Sequence, residues 1–142
     1  MKKLALMMVA AMITSLTFAQ KLQEKDVPAP VKTAFQKNFP QAKVEKWEKE
    51  GINFEAEFEL NKSEQSVLFD AQGDIIETEI EIEISELPYG IVDYVKTNYK
   101  GQSVKEAAKI SDTKGTLTYE AEIKGMDLLF DSNGKFIKEI KN

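Results

Sequence analysis

The sequence predicts an α+β fold made of a tandem repeat of one unit, a helix followed by four antiparallel strands, with both helices on one face of an open sheet. Three observations predict it. From Ile76 to Ile84, Ile76, Thr78, Ile80, Ile82 and Ile84 alternate with Glu77, Glu79, Glu81 and Glu83, the period-two signature of a strand with one buried and one wet face. Two segments, VPAPVKTAFQKNF at 27–39 and LPYGIVDYVKTNY at 87–99, instead space their apolar residues as an amphipathic helix does. Around both helices the same landmarks recur in the same order, which is the mark of an internal duplication.

Lys2 and Lys3 precede an apolar run from Leu4 to Leu16, and Thr17-Phe18-Ala19 supplies small residues at the −3 and −1 positions. A signal peptide over residues 1–19 is expected, since the run is short for a span of ~20 residues. No cysteine follows it for lipid attachment. The mature chain would begin at Gln20, with Gln20 to Lys25 a flexible polar arm, one repeat over 20–84 and the second over 85–142.

In the first repeat, Asp26 is placed to cap a helix over roughly residues 28–38. Pro28 and Pro30 fit its first turn and Pro40 stops it. A strand follows over Lys43–Lys49, with Glu50-Gly51 turning the chain. In NFEAEFEL, Phe54, Ala56, Phe58 and Leu60 point inward and Glu55, Glu57 and Glu59 outward. Gln65–Phe69 is the third strand and Ile75–Ile84 the fourth, joined by the turn Asp70-Ala71-Gln72-Gly73. Ser85 reads as the cap of the second helix, with Glu86 suiting the dipole and Pro88 the first turn.

The second repeat restates these marks. Leu87, Pro88, Ile91, Val95, Asn98 and Tyr99 stand where Val27, Pro28, Val31, Phe35, Asn38 and Phe39 stood. Tyr119-Glu120-Ala121-Glu122-Ile123 mirrors Phe54–Phe58, and Phe130-Asp131-Ser132-Asn133-Gly134 mirrors Phe69–Gly73.

Composition removes whole classes of function. The 142 residues carry a net charge of −5 and no histidine or cysteine. Histidine-dependent triads, histidine general bases and most zinc sites are therefore absent, and no enzyme is expected. Every basic residue is a lysine. With an acidic field and no guanidinium fork, neither nucleic acid nor an acidic membrane surface is an expected partner. An exported domain without disulfides must rest on its core alone.

The helix opening VP…V…F…NFP, the KVEKWEKEG strand, the FEAEF and YEAEI strands and the FD…G hairpins together resemble the PepSY-like, β-lactamase-inhibitor-protein-like domains. These are small exported proteins of Gram-negative bacteria, mostly of unknown function. The resemblance spans about residues 24–140 and implies a tandem α+β repeat with an open, concave sheet face. In the inhibitor that lends its name to the group, that face grips an enzyme, and related PepSY domains are proposed to restrain peptidases. This chain departs from the inhibitor in having no cysteine.

The candidate site residues are partner contacts. If Val44 faces the helix, strand parity turns Trp47 outward onto the open face, where an indole anchors protein interfaces; a β-bulge would instead return it to the core. The outward orientation is the working expectation. Lys49, Glu55, Glu57, Glu79 and Glu81 would surround it. The glutamate rows also read as a solvated face balanced by Lys43, Lys49, Lys105, Lys109 and Lys124, as an acidic surface for a basic partner, or as weak calcium ligands. A glycosidase would need one carboxylate pair set apart in a cleft, and no pair is. Asp70–Asp74 and Asp131–Gly134 lack the ligand spacing of a calcium loop and read as hairpin turns. Tyr89, Tyr94, Tyr99 and Tyr119 read as packing residues. The expected function is that of a non-catalytic, monomeric periplasmic or secreted module that binds another extracytoplasmic protein. The alternative is a small-ligand or metal-binding periplasmic module with its crevice between the repeats. No cofactor and no resident metal are expected.

Overall fold

The structure, a computed structural model, describes residues 19–142. The leader expected over 1–19 therefore lies outside the described residues, apart from Ala19. The fold is α+β with an open antiparallel sheet, and within each unit the strands pair in chain order. The chain divides into two compact units between Thr78 and Glu79.

The first unit contains β1 (Gln20–Leu22), α1 (Ala29–Asn38), β2 (Val44–Glu50), β3 (Asn53–Leu60) and β4 (Ser63–Phe69). The division falls inside β5 (Ile75–Ile82). β1 replaces the flexible arm expected there: Gln20, Lys21 and Leu22 pair with Lys49, Glu48 and Trp47. Three residues are too few to show a period, so backbone pairing alone reveals this strand. Asp26 caps no helix; it closes a short 3-10 turn, and Pro28 stands at the N-cap of α1.

α1 buries Val31 and Phe35 against Trp47, Phe54, Ala56, Phe58, Val67 and Phe69. Phe39 adds its ring to Phe58 at 4.7 Å between centroids. The β4–β5 hairpin is seated on the helix start: a Cβ on Gly73 would lie 2.6 Å from the Pro30 carbonyl oxygen, and its φ of +90° is a glycine conformation. β3 and β4 are joined through Asn61 and Lys62, both left-handed, at φ 53° and 64°.

The second unit contains α2 (Ile91–Asn98), β6 (Glu106–Asp112), β7 (Leu117–Ile123), β8 (Met126–Asp131) and β9 (Phe136–Lys141). Ser85 is not the cap of α2. Glu83 and Glu86 cap each other around a 3-10 turn, and α2 starts later, after the left-handed Gly90. Ile91 and Val95 pack on Ala107, Ala121, Ile123, Leu128 and Phe130. Tyr94 stacks on Phe136 at 5.1 Å and is a packing residue, as expected; Tyr99 and Tyr119 are partly buried against the same core. Tyr89 is not, being 97 % exposed.

The two aspartate turns are explained by their hydrogen bonds. Asp70 Oδ1 accepts from the backbone N–H groups of Gln72 and Asp74, and Asp131 Oδ1 from those of Asn133 and Lys135. These are side-chain-closed hairpin turns, with the carboxylate committed to backbone.

An acidic cluster on the face away from helix α1

The sequence suggested Trp47 as an anchor on the open face. The structure places it in the core of the first unit, 7 % exposed. The cause is a bulge. Val44 pairs with Phe58 and Lys46 with Glu57, so Glu45 is an extra residue in β2. Beyond it parity is inverted, and Trp47 faces Ala56, whose small side chain leaves room for the indole. The same inversion carries Lys49, partner of Phe54, to the α1 side, where it is exposed. Trp47 and Lys49 therefore do not share a face with Glu55 and Glu57.

What the bulge sends to the opposite face is Lys46, Glu48 and Glu50. Register places Lys46 beside Glu57, Glu48 beside Glu55, and Ser66 beside Glu57 on the other flank. Lys46 Nζ lies 2.6 Å from Glu48 Oε1 and 3.6 Å from Glu57 Oε1. Carboxylate oxygens of Glu48, Glu55 and Glu57 come within 4.8 Å of one another. Sequence parity identified Glu55 and Glu57 but not Glu48 or Lys46; an extra residue between Val44 and Trp47 was the missing piece.

Glu55 is the deepest member, 2 % exposed, and Ser66 beside it is 1 % exposed. Glu55 Oε1 and Ser66 Oγ are both buried, and the two side chains lie beside one another. Burial, reinforced by the charges of Glu50, Glu57 and Glu48, pushes the Glu55 carboxyl up to about 8; the neighbouring Ser66 hydroxyl pulls the other way. Burial also raises Glu57, against the opposing charge of Lys46, and raises Glu50, with Glu48 adding to the effect. Burial would lower the Lys46 ammonium, but its hydrogen bond to Glu48 and the charges of Glu57, Glu48 and Glu55 hold it above its usual range. One ammonium thus stands among four carboxylates, three of them raised.

The other residues expected on the open face lie on β5. Glu79 is fully buried and Glu77 is 8 % exposed, so neither offers the wet surface expected of that strand. Alternation divides β5 into two sides, as expected, but does not say which side meets water. Glu81 is half-buried.

Two copies of one family match the chain, over residues 16–77 and 58–138, and that family is described as beta-lactamase-inhibitor-like, PepSY-like. The chain belongs to the PepSY-like family. Its fold recurs in solved structures from Bacteroides. A candidate periplasmic protein from Bacteroides eggerthii is 15% identical with a TM-score of 0.70, the match covering 81% of this chain and 88% of that one. A DUF2874 family protein from Bacteroides uniformis is 22% identical with a TM-score of 0.69, covering 80% of this chain and 88% of that one. A BLIP-like protein from Bacteroides fragilis is 24% identical with a TM-score of 0.58, covering 80% and 86%. No curated protein matches the chain significantly. Among the described residues of this PepSY-like chain, no helix is long and apolar enough to cross a membrane.

Proposed function

We propose that this PepSY-like chain is a non-catalytic, extracytoplasmic binding module that docks a basic protein surface onto the face of β2 and β3 away from α1. The observation that carries it is the partly exposed group of Lys46, Glu48 and Glu57, two carboxylates that one lysine does not balance. Glu48 and Glu57 share a single ammonium, so repulsion between carboxylates on this face is only partly offset. A cationic surface relieves that repulsion, so complementarity favours association and its rate. The family's likeness to an enzyme inhibitor makes a peptidase or another extracytoplasmic enzyme the partner class to test first.

Capture from periplasmic extract tests this, with wild type beside the charge-reversed pair Glu48→Lys and Glu57→Lys. Specific partners are expected to be lost from the variant while its far-UV spectrum is unchanged. Equal recovery of the same proteins by both overturns the reading.

A second observation favours a small ligand. A groove of about 330 Å³ beside α1 is lined by Leu22, Phe35, Val44 and Trp47 together with Lys21, Lys32, Lys43 and Lys46. Its size and its four lysines, against two carboxylates from Glu24 and Glu45, suit a compact amphipathic anion. Quenching of Trp47 fluorescence by short-chain carboxylates is the corresponding test.

A further inference from the structure

The groove beside α1 has a counterpart position in the second unit, and the two differ. The units align residue for residue here. Trp47 faces Ala56 as Ala107 faces Ala121. Val31 and Phe35 lie in the first core where Ile91 and Val95 lie in the second. The 3-10 turns Glu24–Asp26 and Ile84–Glu86 match as well. In this alignment Lys21, Lys32, Lys43 and Lys46 of the groove are replaced by Glu81, Val92, Ser103 and Glu106, and its two aromatic residues by Val95 and Ala107. The same backbone frame is thus built with none of the lysines and neither ring, so the fold requires none of them.

Charge narrows what the groove can hold. Lys46 is committed to Glu48 and Glu57. Among the described residues, Lys21, Lys32 and Lys43 enter no ion pair. They come from three places, β1, α1 and the segment leading into β2, and they surround one lining. Three ammonium groups against the carboxylates of Glu24 and Glu45 leave one positive charge over, in a chain whose net charge is −5. Below them the lining is apolar. Leu22 and Val44 are half-buried, and Phe35 and Trp47, at 4 % and 7 % exposed, offer only their edges.

We propose that this groove binds a straight-chain monocarboxylate, a short fatty-acid anion, with its head among Lys21, Lys32 and Lys43 and its chain against Leu22, Val44 and the edges of Phe35 and Trp47. The proposal rests on the small-ligand reading of the groove and names its ligand class. A surplus of one charge matches a carboxylate better than a phosphate monoester, which carries nearly two. Lysines act as separate point charges and impose no planar fork, so a small head held by ammonium groups from three directions fits them. The chain supplies the rest of the affinity by leaving water.

The test is titration of the purified chain with hexanoate, hexanamide and hexyl phosphate, followed by calorimetry and by the emission of Trp47, the lone tryptophan. Hexanoate is expected to bind at one site, hexanamide about tenfold more weakly for want of the charge, and hexyl phosphate no tighter than hexanoate. Lys32→Gln and Lys43→Gln are each expected to weaken hexanoate about three- to fivefold, as loss of a partly exposed ion pair does, and to leave hexanamide unchanged. Lys96→Gln on α2 is the control and is expected to change neither. Equal binding of hexanoate and hexanamide, or equal binding of hexanoate by wild type and by the folded double variant of Lys32 and Lys43, overturns the carboxylate assignment while the small-ligand reading stands. Tighter binding of hexyl phosphate overturns the monoanion in the same way. No response to any of the three overturns both.

Discussion

Phe35 of α1 meets the indole of Trp47 edge-on, with ring centroids 6.0 Å apart and planes at 70°. Phe35 makes a second such contact with Phe58 at 5.1 Å. Edge-to-face contacts of this kind add to the gain from burial alone. The pair fixes where α1 lies on the first unit's sheet.

Trp47→Ala is therefore expected to act on stability. Removing a buried indole beside Ala56 leaves a cavity that little can fill, at a cost of about 3–5 kcal/mol. Urea unfolding followed by circular dichroism checks this, and Trp47→Phe should recover much of the loss. Native fluorescence of this lone tryptophan should be blue-shifted and should move red on unfolding.

Glu55 makes the first unit's stability depend on pH in an unusual direction. Its carboxyl titrates at about 8 in the folded chain against 4.5 normally. Between these values the folded state holds a proton that the unfolded state has released, so stability falls as pH rises through this window. A shift of that size opposes folding by an amount on the order of a few kcal/mol once fully ionised. Glu55→Gln should match wild type near pH 4.5 and melt progressively higher than wild type up to pH 8.5. Parallel melting curves for the two proteins across that range would contradict the assignment.

Lys62 occupies a left-handed conformation at φ 64° in the β3–β4 turn. A side chain there costs about 1–2 kcal/mol that glycine avoids, and a glycine at this turn position is the preferred residue. Lys62→Gly is expected to raise the urea midpoint without changing its slope. Loss of stability would mean that the lysine stem contributes packing the turn geometry does not explain.

Gly73→Ala should do the opposite. The added methyl would meet the Pro30 carbonyl oxygen at 2.6 Å, at a φ of +90°. Both backbone strain and the collision with α1 oppose it, at a combined cost of about 2–4 kcal/mol. Gly51→Ala is the comparison, for there a methyl would meet nothing within 4 Å. Equal destabilisation by the two substitutions would remove the role assigned to contact with the helix.

Much of the fold was legible because two periods were clean. Val31 and Phe35 at helical spacing, and Phe54, Ala56 and Phe58 at strand spacing, marked the inner surfaces that meet in the first core. Their counterparts Ile91, Val95, Ala121 and Ile123 repeated the pattern in the second. The site was legible only in part. Glu55 and Glu57 follow from alternation in β3, but Trp47 was misplaced because no glycine or proline marks the extra residue at Glu45. Lys49 was misplaced with it. The burial of Glu79 was illegible for a different reason: solvent exposure belongs to the tertiary surroundings of a strand, and alternation reports only sidedness.

Gly73 and Gly134 also bear on the order in which the chain assembles. Each sets its hairpin against the start of a helix that lies far earlier in sequence, at Pro30 for the first and Tyr89 for the second. Contacts of such long separation pay loop-closure entropy before they return anything, which slows folding. As the polypeptide emerges N-terminus first, Val31 and Phe35, and later Ile91 and Val95, can be covered by the earlier strands of their unit, and the final hairpin comes last, seating the first turn of each helix.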